Sequence, residues 1–383
     1  MSYTEMMKIA TNVHRDAFGG ITISNLALFD WLEEKDDIIV GIEYMATRRF
    51  FAALIFRRYL PSFFRHHIIS CEDILRRYPW GTTWWLKQRW RPLIEEAKRV
   101  LQAEKPDIIL INGTYHAPWI MAQAAQELGV PIVLRYAGVL QYEVAHSRAV
   151  IRRRLLHYER YIVSQARAII FPSTLCQQVV EQEILKQPAR RATVIPNPAK
   201  PPPLLGRRRS HRRFTLAAIG RWTPIKNFPA FVAAHQQLLT EGFAHRAILV
   251  TSHMERSTQI PETIERQVSM SQEDLQLFYR SVDLVVVPSH FETFCNVAAE
   301  AVVRGAAVLV SERVGFAEVL KSCGLERMVI DSFDDPVAVA AAIRYLTHTP
   351  LTRAERLRVT AALDPHAIHQ DILSVLENVL AES

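Results

Sequence analysis

At 383 residues, 49% of them hydrophobic and 22% charged, the chain has a globular composition that excludes disordered, fibrous and collagen-like classes, and it is too long for one core. No window approaches eighteen uninterrupted apolar residues and no basic-then-apolar leader opens the chain, so a spanning helix and a signal peptide are not expected and a cytoplasmic protein is. The formal charge of +7 is uneven: residues 1–213 hold 32 Lys and Arg against 19 Asp and Glu, and residues 214–383 hold 14 against 20, which should draw the first half to anionic surfaces.

Short β-like apolar runs alternate with helix-length amphipathic segments, the pattern of a parallel sheet flanked by helices, and the pattern occurs twice. In the first half strands are predicted near Met7–Asn12, Ile38–Ile42, Asp107–Asn112, Pro131–Leu134, Ala168–Phe171 and Thr193–Ile195, with helices over Ile21–Glu34, Pro118–Leu128 and Arg152–Gln165. The second half predicts strands near Phe214–Ile219, Ala247–Val250, Leu284–Val287, Ala307–Val310 and Arg327–Ile330. Its helices are predicted over Phe228–Leu239, Gln272–Arg280, Cys295–Arg304 and Pro336–Leu346. Between the halves, a run rich in proline and arginine can continue neither a helix nor a central strand. The reading is therefore a first domain over residues 1–200, a linker over 201–213 and a second domain over 214–365. The four cysteines are far apart, without a C-x-x-C pair or a histidine at ligand spacing, which argues against a zinc site or a disulfide framework.

Parallel sheets carry ligands at the carboxyl ends of their strands, and two such sheets leave a cleft between them. The chain has no G-x-G-x-x-G, P-loop, G-x-S-x-G or H-E-x-x-H motif. It also lacks a D-x-D pair to hold a metal against a diphosphate, so neither a resident cofactor nor a metal is expected. The strongest constellation runs from Leu284 to Val310 as strand, loop, helix, turn and strand, with Glu292 ending the loop and Glu300 within the helix. A helix N-terminus suits a phosphate, and a carboxylate further along can accept two hydrogen bonds from a ribose diol. Two glutamates eight apart are also common on ordinary helices. A second piece, Gly220-Arg-Trp-Thr-Pro-Ile-Lys-Asn227, sets Arg221 and Lys226 on the loop after the first strand of the second half, where two cations can neutralise a diphosphate without a metal.

Together these pieces resemble the retaining glycosyltransferases of the GT-B fold, family 4 type, whose second domain carries G-R-x-x-x-x-K-[NG] followed by P-S-x-x-E-[TGP]-F-G-x-x-x-x-E-A. Met7–Ala10 followed by Phe18-Gly19-Gly20 is similar to that family's opening strand and glycine loop. Asp107–His116 is similar to its central strand and histidine loop, and Val194–Asn197 to the run before its linker. The resemblance implies two Rossmann-like α/β domains with an inter-domain cleft, the last helix, residues 366–383, crossing back onto the first domain. It implies that Arg221 and Lys226 bind the donor diphosphate and Glu300 the ribose. The backbone of Glu292, Thr293, Phe294, Cys295 and Asn296 would hold the transferred sugar and distal phosphate, Gly19 and Gly20 would approach the reacting centre, and His116 would touch the sugar. Cys295 stands where the family has glycine, Ala307 where it has proline, and Thr251-Ser-His253 where it has a glycine-rich turn; Arg135-Tyr-Ala-Gly138 stands where a histidine often precedes the glycine.

The activity so implied is metal-independent transfer of a sugar from a nucleotide diphosphate sugar to a glycan or lipid-linked acceptor with retention of configuration, in cell-surface polysaccharide or glycolipid synthesis. The alternatives are an inverting GT-B transferase, a nucleotide-sugar epimerase, or a catalytically silent membrane-associated partner subunit. Residues 48–99 hold 12 basic and 4 acidic groups, with Trp80, Trp84, Trp85 and Trp90 interleaved, which suits either an anionic membrane interface or a packed helix pair with an arginine face. Nucleic acid is not an expected partner, because no binding module is present. His366 and His369 lie at helical spacing, a pattern read as packing and not as a metal site.

Overall fold

The computed structural model describes residues 6–13, 20–35, 37–45, 65–70, 83–145, 147–200, 213–251, 260–268 and 270–382. The chain forms two compact units: unit 1 comprises Met1–Phe171, Gln177–Ile195 and His369–Ser383, and unit 2 comprises Pro172–Cys176 and Pro196–Ile368.

Unit 1 is a seven-stranded parallel sheet in the order β3-β2-β1-β4-β5-β6-β7. The strands are β1 (Lys8–Asn12), β2 (Ile38–Met45), β3 (Arg65–Ser70), β4 (Ile108–Asn112), β5 (Ile132–Arg135), β6 (Ala168–Phe171) and β7 (Ala192–Val194). The central strand β4 reads IILIN and is buried along its whole length, as continuous apolar runs are when helices cover both faces of a parallel sheet. The connecting helices include α1 (Gly20–Glu33), α2 (Thr83–Glu104), α3 (His116–Leu128), α4 (Leu140–Glu143) and α5 (Ala149–Gln165). Helix α3 stops at Gly129, whose φ of 73° lets its N–H turn back onto the carbonyls of Ala125 and Gln126. After α6 (Thr174–Val179) and one π-turn, the chain enters β7.

Unit 2 is a six-stranded sheet in the order β10-β9-β8-β11-β12-β13, again parallel. Its strands are β8 (Phe214–Ile219), β9 (His245–Val250), β10 (Ile264–Gln267), β11 (Leu284–Val286), β12 (Ala307–Ser311) and β13 (Val329–Ile330). Helices α7 (Phe228–Thr240), α8 (Gln272–Ser281), α9 (Asn296–Val303), α10 (Phe316–Ser322), α11 (Pro336–His348), α12 (Arg353–Ala362) and α13 (Pro365–Ala381) follow, and α13 passes from unit 2 into unit 1 at His369.

Three strands depart from the pattern expected of them, and all are at or next to a sheet edge. Strands β3 (RHHIIS) and β10 (IERQ) are not predicted by apolar runs; β10 buries only Ile264 fully, so it has little need of a hydrophobic pattern. Strand β13 is shorter than the predicted Arg327–Ile330, because residues Glu326–Met328 form a 3₁₀ turn first.

Of the basic, tryptophan-rich stretch 48–99, residues 48–64 and 71–82 lie outside the described residues, as does all detail of the Trp84 and Trp85 side chains. Trp90 is 2% exposed, and its indole N–H donates to the Tyr158 hydroxyl at 2.9 Å. Of the two readings of this stretch, the packed helix holds at Trp90: α2 lies along α3, the ring fills the core, and its polar edge finds a buried partner on α5. Arg91 and Lys98, also counted in that basic stretch, pair with Glu127.

Candidate functional site

The carboxyl edge of the second sheet gathers most of the predicted charged residues. β8 is followed by Gly220, whose N–H bonds to the Val250 carbonyl and whose φ is 154°. A Cβ there would lie at ordinary contact distance, 3.4 Å from the Phe228 ring and 3.8 Å from the stem of Lys226, so it is the backbone conformation and not space that favours glycine. The loop then makes a single 3₁₀ turn over Pro224–Lys226 and enters α7 through Asn227, which holds a left-handed φ of 47°; asparagine tolerates that region better than most side chains. Arg221 is exposed on this loop.

The Lys226 ammonium forms a close ion pair with the Glu292 carboxylate. Ser289, itself 3% exposed, donates its hydroxyl to the same carboxylate oxygen at 2.8 Å, and the His290 N–H reaches the Ile225 carbonyl at 2.8 Å. The cation loop and the glutamate loop are thus held together by backbone as well as by charge. Burial lowers the ammonium pKa of Lys226, but Glu292 and then Cys295 outweigh it and leave the pKa above its ordinary value. Lys226 is therefore cationic at neutral pH and available to an anion.

Residues 292–296 are strapped to the chain from 313 to 316. Glu292 donates its N–H to the Arg313 carbonyl, Gly315 donates to the Glu292 carbonyl, and Phe316 donates to the Phe294 carbonyl at 2.8 Å. The Thr293 carbonyl accepts the Ser173 hydroxyl at 2.7 Å. Gly315 is required by space: a Cβ on it would lie 2.2 Å from that carbonyl and 2.5 Å from the Ser173 oxygen. The Phe294 ring is buried edge-on against Phe316 at 5.6 Å, and the Cys295 side chain is buried in the same core. Those two residues can meet a ligand only through their backbone.

Cys295 has φ 87° and ψ 78°, a conformation that glycine adopts at no steric cost and a residue with a Cβ adopts under strain. Cys295 thus stands in a backbone conformation suited to glycine. Burial pushes the thiol up to about 12, with Glu292 acting in the same direction, so it remains protonated and is no nucleophile at neutral pH. Cys295 leads directly into α9, whose first N–H groups receive no side-chain cap. Asn296 accepts from the Asn197 amide at 2.9 Å. Glu300 lies on α9, where burial raises its pKa while Arg304 and the Tyr279 hydroxyl pull it back down.

In unit 1 the carboxyl edge is made differently. Asn12 and Asn112 exchange hydrogen bonds of 2.9 and 2.8 Å across β1 and β4. Arg135, at the end of β5, is buried and donates to Asn25 of α1 at 2.9 Å. Burial lowers its pKa only to about 10, so it stays charged. Glu159 of α5 supports the loop after β5 by accepting from the Tyr136 hydroxyl at 2.6 Å and the Leu140 N–H at 2.9 Å, and its burial raises its pKa to about 7. His116 opens α3, just past the end of β4, and stacks on Trp90 with centroids 5.9 Å apart. Gly19 lies outside the described residues, and Gly20 is the first residue of α1.

Within unit 2, then, Lys226, Glu292, Thr293, Phe294, Cys295, Asn296 and Glu300 come together on adjoining loops and one helix, with Arg221 close enough to act on the charge of Lys226. Sequence reasoning missed Ser173, Ser289, Gly315 and Glu318. Glu318 accepts from the N–H groups of Thr174 and Leu175 at 2.8 and 2.7 Å and so fixes the segment that carries Ser173. Ser289 could have been found by its place three residues before Glu292; Ser173 is 120 residues from the carbonyl it holds, and no local pattern marks it. Among the described residues no three His, Cys, Asp or Glu side chains converge as a metal site requires. His369 is buried against Trp31 at 5.7 Å. The edge of unit 2 can hold an anionic, hydroxyl-bearing ligand with cations, helix N–H groups and one half-buried carboxylate.

Residues 42–198 match the family model described as a glycosyl transferase 4-like domain, and residues 213–349 match that of glycosyl transferases group 1. No curated protein is similar in sequence to the chain. Among solved structures, sucrose-phosphate synthase from Thermosynechococcus elongatus superposes with a TM-score of 0.73 at 17% identity, covering 98% of this chain and 100% of that one. Anabaena HepE in complex with UDP-glucose gives 0.69 at 16% identity over 97% of this chain and 100% of that one. A trehalose-6-phosphate protein from E. coli bound with UDP-2-fluoro glucose gives 0.67 at 13% identity over 96% and 98%.

Proposed function

From the premise that the chain belongs to the GT-B glycosyltransferases, we propose that it moves a sugar from a nucleotide diphosphate sugar to a glycan or lipid-linked acceptor, with retention of configuration and without a metal. The observation that carries this reading is the Lys226–Glu292–Ser289 group at the carboxyl edge of the second sheet, with Glu300 on the helix that follows. Lys226 and Arg221 supply two positive charges for a diphosphate, and Glu300 accepts from the ribose hydroxyls. The backbone of residues 292–296 meets the sugar and the distal phosphate. HepE and the E. coli protein, whose structures hold UDP-glucose and UDP-2-fluoro glucose, make uridine diphosphate sugars the first donors to try.

Chemically, departure of the diphosphate is the demanding event, and a preorganised cationic pocket stabilises the charge that develops there. Glu292 is already engaged by Lys226 and Ser289, so its role is to orient Lys226 and the loop. Retention is then best served by front-face attack, in which the leaving phosphate takes the acceptor proton. The family resemblance assigns His116 to the sugar and Gly19 and Gly20 to the reacting centre. The setting proposed is the cytoplasmic face of a membrane, in the synthesis of surface polysaccharide or glycolipid; the surplus of cations in residues 1–213 supports it. No helix among the described residues is long and apolar enough to cross a membrane, so attachment would be peripheral.

The test is turnover of a panel of UDP-, GDP- and ADP-sugars with and without EDTA, the anomeric form of the product being read by NMR. Retained configuration and EDTA-insensitive turnover are expected. An inverted product, or EDTA inactivation reversed by magnesium, contradicts the mechanism.

A further inference from the structure

The peptide between Thr293 and Phe294 lies in the loop that leads from β11 into α9, and a residue far away in sequence fixes its orientation. Its carbonyl accepts the Ser173 hydroxyl at 2.7 Å. Ser173 is 2% exposed, and its oxygen in turn accepts the Cys176 N–H at 3.0 Å. The hydroxyl hydrogen is thereby committed to Thr293, and the side chain has one orientation that satisfies both bonds. Glu318 locks the segment that carries Ser173, one carboxylate oxygen accepting from Thr174 and the other from Leu175. All of these residues belong to unit 2.

A trans peptide is planar, and its N–H points opposite to its C=O. With the Thr293 carbonyl turned to Ser173, the Phe294 N–H points away from Ser173. Among the described residues that N–H has no hydrogen-bond acceptor, and neither has the Cys295 N–H that follows, although Phe294 is 1% and Cys295 8% exposed. Buried N–H groups without an acceptor are rare and costly. Two in succession, beside a residue with a left-handed φ of 87°, form a concavity suited to an anion. They begin two residues after Glu292, the partner of Lys226.

We propose that Ser173, locked by Glu318, is a positioning residue for the donor: by holding the Thr293 carbonyl it aims the Phe294 N–H, and the Cys295 N–H with it, at the distal phosphate of the nucleotide. This rests on the proposed donor site and adds what orients the backbone there. Ser173 touches no ligand itself. Without its hydroxyl, rotation of the peptide through ψ of Thr293 and φ of Phe294 is no longer opposed, and the N–H swings out of line. The ribose, assigned to Glu300 on α9, does not depend on this peptide. A nucleoside diphosphate should therefore feel the loss of Ser173, and a nucleoside monophosphate, which has no distal phosphate, should not.

The experiment is titration of UMP and UDP, and of the GMP/GDP and AMP/ADP pairs, into the full chain and into the Ser173→Ala and Glu318→Gln variants. Ligand-observed NMR reads weak and tight binding alike, and the melting temperature of each variant is taken alongside. For the base that the wild type binds, Ser173→Ala is expected to lose on the order of 10-fold in affinity for the diphosphate and about twofold at most for the monophosphate. Glu318→Gln, whose amide can accept from only one of the two N–H groups, is expected to show the same selective loss at smaller size. Equal losses for monophosphate and diphosphate, with a lowered melting temperature, would mean that Ser173 only holds the fold and would overturn the proposal. Diphosphate affinity unchanged from wild type overturns it as well. Should Ser173→Ala fail to fold, the same comparison in Glu318→Gln decides. Failure of the donor site itself shows separately, as no binding of any nucleotide by the wild type, and takes the role of Ser173 with it.

Discussion

Unit 2 keeps a paired ammonium and carboxylate at the carboxyl edge of its sheet, partly open to solvent, whereas the same edge of unit 1 is built from amides, a buried guanidinium and a buried carboxyl under its loops. The first arrangement retains a charge that a ligand can use. The second spends its polar groups on one another and fixes loop shape. Two sheets of the same topology thus provide one edge suited to binding a charged donor and one suited to shaping a surface.

Protonation separates the two units most strongly. In unit 2, His245 is tied through one ring nitrogen to the Phe243 carbonyl and through the other to His235, which in turn meets Thr263. Because a carbonyl can only accept, His245 Nδ1 carries a hydrogen, and the bond shared by the two rings needs one nitrogen to accept, so both rings cannot be protonated at once. Burial, with His245 acting in the same direction, lowers the pKa of His235 from 6.5 to about 4. The unfolded chain takes up the proton first, so this contribution to stability is complete above pH 6.5 and is lost as the pH falls toward 4, by as much as about 3 kcal/mol. Glu159 of unit 1 has the opposite sign: its pKa is raised from 4.5 to about 7. Its contribution is complete below pH 4.5 and is lost as the pH rises through 7, by a similar amount. Thermal denaturation against pH should show the fall on the acid side flattened in His235→Asn and the fall on the neutral side flattened in Glu159→Gln. Unaltered pH profiles in both variants would break the comparison.

Donor binding is the next largest effect. Lys226→Ala should cost about 1.5–3 kcal/mol in kcat/KM, the range for hydrogen bonds to charged groups. Glu300→Ala should cost a similar amount and, more tellingly, should remove discrimination against a 2′-deoxyribose donor. Removing the charge of Arg135 in unit 1 should not change that discrimination.

Gly315→Ala sharpens the point about the loop. Its Cβ would press on the Thr293 carbonyl and the Ser173 hydroxyl at 2.2 and 2.5 Å. Destabilisation of about 1–3 kcal/mol is expected by overpacking, together with a raised KM for donor; an unchanged melting temperature would show that the strap is slack. The smallest effect belongs to Cys295→Gly. It relieves a left-handed φ of 87° but empties a buried thiol site. These nearly cancel, so stability should change by less than about 1 kcal/mol with donor affinity retained. A large loss of affinity would mean that the thiol itself shapes the site.

Legibility in sequence followed contiguity. The β8 turn and the β11–α9 segment each lie within one short stretch, so Arg221, Lys226, Glu292 and Glu300 could be picked out from spacing and from the family resemblance. Central strands such as β4 were legible because burial on both faces forces an unbroken apolar run. Edge strand β10 was not, because one buried residue leaves no pattern. Ser173, Gly315 and Glu318 act through long-range backbone contacts that spacing cannot encode. For Trp90 the sequence left surface and core both open, and what decides for the core, the bond of its N–H to Tyr158, spans 68 residues.

The central claim is that the carboxyl edge of the second sheet holds a nucleoside diphosphate through Lys226 and Glu300. The most direct measurement is calorimetric titration of UDP, GDP and ADP into the wild type and the Lys226→Ala and Glu300→Ala variants, all in EDTA. The account predicts saturable binding of at least one nucleotide by the wild type, weakened about 10-fold or more in each variant. Absence of binding by all three nucleotides, or equal affinity in wild type and both variants, would contradict it.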